Sequence, residues 1–205
     1  MGLYNKFILP NVINWACQQK PSMKQREKII PFASGHVLEI GIGSGLNIPF
    51  YDKEKISHLI GIDPSQETWN KNKLDIQKLP FGFDFIKAFA EDIPVDSNSI
   101  DSVVITYALC TIPDTNAALA EIRRVLKPNG NLLFCEHGKA PDKVIQKWQN
   151  RINPIWKKVG GGCNLNRDIP EIIKDNGFKI RDIETMYIPG WKPASFNYWG
   201  TAETN

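Results

Sequence analysis

The segment Glu39-Ile40-Gly41-Ile42-Gly43-Ser44-Gly45 stands where a short apolar run gives way to a turn. Glycines without Cβ atoms let a backbone turn tightly and approach a ligand closely, and amides opening toward a helix start attract an anionic group. That chemistry is a cradle for a cofactor, although the same glycines also suit a purely structural turn. Asp63 closes the next apolar run, about twenty residues further on, the interval at which nucleotide-binding folds place an acidic residue. Neighbouring strand ends in a doubly wound sheet meet at one crevice, so its carboxylate is placed to accept from both hydroxyls of a ribose; its other reading is a cap for the helix that follows. Counted from Gly41, the third position of a dinucleotide turn is Leu46, where glycine or alanine is needed for close packing. With the glycine at Gly45 instead, and Asn47 and Pro49 opening a short helix, the turn suits a mononucleoside with an amino-acid tail better than a dinucleotide.

Two more polar segments close strand-like runs. Thr106-Tyr107-Ala108-Leu109 follows Ser102-Val103-Val104-Ile105, and Glu136-His137-Gly138 follows Leu132-Leu133-Phe134-Cys135. Both open on the crevice that holds the glycine turn. An imidazole titrates near neutral pH, which suits His137 to take a proton from a thiol or hydroxyl; its plainer role is a local hydrogen bond that shapes the pocket. Tyr107 serves either ligand contact or packing, whereas His36 and His58 precede strands and read as surface positions. Cys17, Cys110, Cys135 and Cys163 show neither a CxxC pair nor His-linked zinc spacing. Cys110 and Cys135 end apolar runs and read as reduced core thiols rather than ligands or bridges, and no metal is expected.

These residues need strands to carry them to one edge. Val37-Leu38-Glu39-Ile40, Leu59-Ile60-Gly61-Ile62 and the two runs just quoted suit strands buried on both faces, with residues 83–88 a weaker fifth. Helical stretches alternate with them, the pattern of parallel strands joined by crossovers. The clearest spans residues 115–127, where Ala118, Leu119, Ile122, Val125 and Leu126 form one apolar stripe, Asp114 caps the start and Pro128-Asn129-Gly130 stops it. Others are expected at 64–79 and at 169–176, with Gly177 ending the last. Residues 178–186 and 196–199 read as further strands.

The chain, 205 residues with a formal net charge of +3, fits one α/β domain. So small a charge gives no reason to expect a nucleic-acid partner. The first ten residues lack the plan of a signal peptide and no apolar run is long enough to cross a bilayer, so a cytoplasmic location is expected. Residues 1–34 read as an N-terminal helical cap with Tyr4, Phe7, Ile8, Leu9, Val12, Ile13 and Trp15 over the cofactor, 35–138 as the cofactor core, 139–168 as a lid or substrate segment, and 169–205 as a closing helix and strands. Within the lid, 143–159 is basic and amphipathic, interrupted by Pro154, and suits packing on its own domain over contact with a membrane surface. Gly160-Gly161-Gly162-Cys163 reads as a hinge.

Taken in order, 37–45, Gly61-Ile62-Asp63-Pro64, Ala90-Glu91-Asp92-Ile93-Pro94, Ser99-Ile100-Asp101 and Arg124-Val125-Leu126-Lys127-Pro128-Asn129-Gly130 give the chain a specific likeness. Over residues 35–138 it resembles the class I S-adenosylmethionine-dependent methyltransferases, in the ubiquinone/menaquinone-biosynthesis-type group that includes small thiol and phospholipid-headgroup methyltransferases. The resemblance implies a Rossmann-like, seven-stranded, mostly parallel sheet with one antiparallel strand and helices on both faces. It further implies that Glu39, Gly41, Gly43, Gly45, Asn47, Asp63, Pro64, Ala90, Glu91, Asp92 and Tyr107 bind S-adenosylmethionine. By it the glycines line the methionine tail, Asp63 holds the ribose, Ala90 and Glu91 border the adenine, and Tyr107 lies near the sulfonium methyl. Phe89 stands where many relatives have aspartate, so the adenine amino group is left to Glu91 or Asp92, or Phe89 packs on the ring. The Asp-Pro-Pro-aromatic motif of DNA adenine methylation is absent. Six tryptophans and apolar caps point to a small lipophilic acceptor, a thiol, hydroxyl or amine ahead of a quinone, with a phospholipid headgroup open. The competing classes are a nicotinamide oxidoreductase, which conflicts with Leu46, and a noncatalytic cofactor-binding module.

Overall fold

The computed structural model describes residues 9–204. Its apolar runs become β1 (Gly35–Ile40), β2 (Ile56–Ile62), β3 (Gly82–Ile86), β4 (Ile100–Thr106) and β5 (Leu126–His137), followed by β6 (Phe178–Tyr187) and β7 (Phe196–Thr204). They form one seven-stranded sheet in the order β3-β2-β1-β4-β5-β7-β6. β7 runs antiparallel to both β5 and β6, while β1 to β5 pair in parallel, as expected. The chain leaves β1 toward β2 and β3, then returns to the other side of β1 as β4. That reversal leaves a crevice beyond the ends of β1 and β4, where ligands of open α/β sheets bind. Ile40 pairs with Ile62 on one side and Ile105 on the other, so the glycine turn, Asp63 and the segment after Thr106 leave the sheet side by side.

Helices bury both faces, giving two apolar cores. The helices α1 (Leu9–Cys17), α2 (Lys20–Ile29) and α3 (Gln66–Trp69) precede α4 (Thr115–Val125) in the chain. α4 lays its expected stripe, Ala118, Leu119, Ile122 and Val125, into one core. The Asp114 carboxylate accepts from the amides of Asn116 and Ala117 at 3.0 Å, satisfying donors that the first turn would orphan. This helix ends two positions before the expected 127, because Leu126 already pairs with Ile100 at the start of β5.

The helix expected at 64–79 shrinks to α3 and a separate 3-10 turn at Ile76–Lys78. Ser65 caps α3 properly, accepting from the Thr68 amide. The Asn72 carboxamide then takes the Leu74 amide at 2.7 Å, a local bond that competes with helix continuation. Trp69 stacks on Phe83 and Phe85 at centroid distances of 5.1 and 4.9 Å, which fixes where α3 stops.

After β5 come α5 (Lys143–Val159), α6 (Ile169–Asp175) and the short α7 (Lys192–Ser195). α5 runs through Pro154 without the expected interruption; the residue is exposed and removes only one backbone donor. α5 buries only part of its apolar face: Ile145 packs against the core and Trp156 meets Trp191 at a centroid distance of 5.4 Å. Its buried residue is Gln149, while Val144, Trp148, Ile155 and Val159 are between 49% and 68% exposed. Of the apolar cap expected at the N-terminus, Tyr4, Phe7 and Ile8 lie outside the described residues. Val12 and Trp15 are exposed, and α1 meets the glycine turn through Asn14, whose carbonyl oxygen accepts from the Ser44 hydroxyl at 2.6 Å.

Leu119 is fully buried under the sheet. Leu119→Ala is expected to lower the unfolding free energy by about 2–5 kcal/mol through lost burial and an unfilled cavity. Denaturant unfolding checks this, and a loss under about 1 kcal/mol would mean that the α4 stripe does not carry the core.

Candidate functional site

Gly41, Gly43 and Gly45 all adopt positive φ, of 68°, 58° and 80°. At Gly41 a Cβ would lie 2.7 Å from the Cβ of Ala108, so absence of a side chain is what lets the turn abut the segment after β4. At Gly43 a Cβ would make ordinary contact with Thr68 Cγ2 at 3.8 Å, so there the positive φ rather than crowding calls for glycine. The Gly43 amide donates to Asp63 Oδ2 at 3.0 Å and the Ser65 amide to Oδ1 at 2.8 Å. These bonds orient the carboxylate and leave lone pairs for hydroxyl donors. Burial raises the Asp63 carboxyl above its usual range, opposed by the two amides.

Beneath the turn lies a buried polar network that sequence reasoning did not find. Glu39 accepts from Asn47 Nδ2 at 2.9 Å and from the Tyr51 hydroxyl at 2.7 Å. Arg26, from α2, donates to Asn47 Oδ1 at 2.7 Å and to Thr106 Oγ1 at 2.6 Å, and its guanidinium sits 5.1 Å from the Tyr107 ring centroid. In the sequence Arg26 is one cation among several, with no spacing to mark it as buried. Burial lifts the Glu39 carboxyl from 4.5 to about 7, against the bonds from Tyr51 and Asn47 and the charge of Arg26. Glu39 and Asn47, expected to touch the cofactor, thus spend their side chains bracing the loop that would hold it.

Residues 89–95 are held at the crevice edge by Arg124, which donates to the carbonyls of Ile93 and Val95 and pairs with Glu121, while Glu121 accepts the Ile93 amide. Within that segment Ala90 is buried, Glu91 half-buried, and Asp92 and Phe89 exposed, as is Pro64 after Asp63. Glu91 accepts from the Asp114 amide at 3.3 Å. The S-adenosylmethionine implied by the resemblance fits these residues, since the side-chain-free glycine turn, the oriented Asp63 carboxylate and the braced 89–92 segment offer the tail, ribose and adenine partners it requires.

Tyr107 adopts φ of 53°, left-handed backbone that a non-glycine residue rarely holds. Two interactions fix it: its hydroxyl donates to Asn197 Oδ1 at 2.7 Å, and its amide to the Cys135 carbonyl at 2.9 Å. Past it, the amides of Ala108, Leu109 and Cys110 converge on the fully buried Glu136 carboxylate at 2.7, 2.8 and 3.3 Å. His137, next in β5, points Nε2 at Cys163 Sγ, 3.2 Å away, and Cys163 Sγ lies 3.8 Å from Cys110 Sγ. The Nδ1 atom of His137 is buried without a partner. Burial, the largest influence, pulls the His137 imidazole down, but Cys163 and Glu136 carry it above its usual range. Cys135 matches the expected core thiol, and burial pushes it up to about 12. Cys110 is buried too, yet it faces another sulfur and an imidazole. Separations of 53 and 26 residues give these contacts no spacing signature.

The methyltransferase domain family matches residues 38–134. Over 195 residues the chain is 32% identical to the Homo sapiens thiol S-methyltransferase TMT1B, covering 90% of this chain and 80% of that protein. It is also 32% identical over 165 residues to the Rattus norvegicus protein of the same name, covering 79% of this chain and 65% of that relative's length. A solved SAM-dependent methyltransferase from Methanosarcina mazei superposes with a TM-score of 0.67 at 20% identity, over 82% of this chain and 92% of the other, a likeness of fold.

The raised Glu39 carboxyl has a stability consequence with a definite sign. Its folded pKa exceeds the unfolded value, so the contribution is complete below about pH 4.5 and is lost as pH rises through about 7. The loss is on the order of 3 kcal/mol at about 1.4 kcal/mol per pKa unit. Glu39→Gln is expected to flatten this fall, read as urea midpoints between about pH 5 and about pH 8. An unchanged pH slope would assign the fall to another group.

Proposed function

The chain belongs to the class I S-adenosylmethionine-dependent methyltransferases, and from that premise we propose that its acceptor is the sulfur of a small lipophilic thiol. The observation that carries this reading is the likeness to a thiol S-methyltransferase across 90% of the chain. Sulfur and imidazole groups beside the segment after β4 support it, because polarisable, weakly hydrogen-bonding side chains suit a thiol better than an amine.

When bound, S-adenosylmethionine supplies a sulfonium methyl already activated for displacement. The chain's own work is therefore placement. The glycine turn and Asp63 hold the tail and ribose, residues 90–92 border the adenine, and the strained Tyr107 backbone sets the wall past which the acceptor approaches. Orientation of this kind can be worth roughly 7–11 kcal/mol of barrier. A thiol must also lose its proton, and the Cys110, His137 and Cys163 cluster is where we place that loss.

Transfer of a labelled methyl group to lipophilic thiols is expected, with phenols and amines much poorer; transfer to amines or phenols but not thiols would remove the reading. In the same preparation Asp63→Ala is expected to bind S-adenosylmethionine at least about tenfold more weakly, since hydrogen bonds to a charged group contribute about 1.5–3 kcal/mol each. Calorimetry reads that change directly.

We also propose that α5 meets a lipid surface where lipophilic acceptors partition. Val144, Trp148, Ile155 and Val159 are exposed along it, with Lys143, Lys147, Arg151, Lys157 and Lys158 on the same helix. Such a helix lies in an anionic interface by combining apolar insertion with charge attraction. Paired Trp148→Lys and Ile155→Lys substitutions are expected to abolish sedimentation with anionic vesicles while leaving methylation of a water-soluble thiol unchanged. Equal sedimentation of the parent and variant would exclude the α5 face.

A further inference from the structure

Cys110, His137 and Cys163 meet although they come from the segment after β4, the end of β5 and the glycine-rich turn after α5. Their ligand atoms all lie within 4.8 Å of one another. Around a tetrahedral zinc ion, bonds of about 2.3 Å to sulfur and about 2.0–2.1 Å to nitrogen set a sulfur–sulfur distance near 3.8 Å and a sulfur–nitrogen distance near 3.5 Å. The chain holds its sulfurs 3.8 Å apart and Cys163 Sγ 3.2 Å from His137 Nε2. We propose that these three side chains form a binding site for one soft divalent cation of the zinc type.

The supporting structure is rigid in the way such a site requires. The Cys110 amide donates to Glu136, and its carbonyl accepts both the Asn164 amide at 2.9 Å and Asn164 Nδ2 at 3.0 Å. The sulfur-bearing segments are thereby tied backbone to backbone. Gly162, at φ of 94°, makes the bend that delivers Cys163, and Asn153 of α5 donates to Asn164 Oδ1 and accepts the Leu165 amide. Two thiolates would balance the ion's charge, which lowers the cost of holding it in a mostly buried place. The ligand chemistry selects against magnesium and calcium, which require oxygen donors. Without an ion the internal contacts of the cluster are only weak sulfur hydrogen bonds.

Three protein ligands leave a tetrahedral ion one open position, the arrangement of a catalytic rather than a structural site. Resting on the thiol reading above, that position takes the acceptor's sulfur. Its proton passes to solvent on binding. The sulfur's electron pair then forms the new bond to the methyl carbon as the donor's sulfonium carbon–sulfur bond breaks, that pair remaining on S-adenosylhomocysteine. Cys110 stands two residues beyond Ala108, whose Cβ abuts Gly41, so the cation site and the glycine turn share one wall.

The test titrates the full chain, stripped with a chelator and kept reduced, with zinc alone against a chromophoric competitor, and with cobalt(II) as a spectroscopic substitute. One equivalent of zinc is expected, with a thiolate-to-cobalt charge-transfer band and a tetrahedral visible spectrum. Cys110→Ser, Cys163→Ser and His137→Ala should each weaken zinc binding at least tenfold, while Cys17→Ser leaves it unchanged. No uptake by a chain that binds S-adenosylmethionine normally would overturn the site, as would uptake that persists in the Cys110→Ser, Cys163→Ser double variant. A Cys110–Cys163 disulfide formed under mild oxidant, with no metal uptake by the reduced chain, would likewise replace it. Full thiol methylation by zinc-free chain would overturn the proposed acceptor position while sparing the thiol reading. Zinc binding at this site without methylation of any thiol would overturn the thiol reading and spare the cation site.

Discussion

The crevice depends on one buried carboxylate and what it grips. Glu39 stands one residue before the end of β1, and through Asn47 it connects to Arg26 of α2 and Thr106 of β4, while Tyr51 closes its other oxygen. Four segments distant in sequence therefore share one set of hydrogen bonds beneath the glycine turn. A carboxylate carried that far from water is costly, as its elevated pKa records, and the cost is offset only while its partners stay in place. The network is consequently sensitive to any shift of its members, and that sensitivity fixes the turn in a single shape. Flexible glycines above a rigid polar floor give a loop that approaches a ligand closely without wandering.

The same logic recurs on the acceptor side. Glu136, directly below the segment after β4, takes the Ala108, Leu109 and Cys110 amides, so it does for that segment what Glu39 does for the glycine turn. Backbone amides bent around a buried carboxylate force the strained conformation at Tyr107, whose hydroxyl is then tied to Asn197 of β7. Strain held in this way is a sign of a position fixed for a purpose beyond stability. The antiparallel β7 is thus more than a sheet closure, because it supplies the side chain that locks the crevice wall.

What the sequence made legible was local and periodic. Apolar runs gave the strands, three- and four-residue recurrence gave α4, and the glycine turn followed by Asp63 marked the crevice. The α4 cap at Asp114 was readable because its chemistry needs only neighbours in the chain. Less could be read where side chains compete with the backbone: at 64–79, asparagines divert amides that a helix would use, and propensity alone does not reveal it. The buried role of Arg26 was invisible, since a cation inside a lysine-rich helix looks solvated until its partners, 21 and 80 residues away, are known. The Cys110, His137 and Cys163 cluster was hidden for the same reason. Ligand spacing is a signature only when one loop or hairpin carries the ligands, and here the sheet itself does the gathering.

α5 buries only part of its apolar stripe. A helix usually buries its apolar stripe and leaves polar groups in water. Here Gln149 is the anchor, donating to the carbonyls of Gly138 and Pro193 and accepting the Ala140 amide, all buried. Polar bonds at Gln149 and, a turn further on, at Asn153 hold the helix while Val144, Trp148 and Ile155 stay in contact with solvent. The cofactor half is built to hold one geometry, and the segment leading to Cys163 is tied to it through Asn164, which bonds to the Cys110 carbonyl and to Asn153. Cys163 sits at the junction of the two, so the bonds from Asn153 through Asn164 to the Cys110 carbonyl join α5 to the cluster beside the crevice wall.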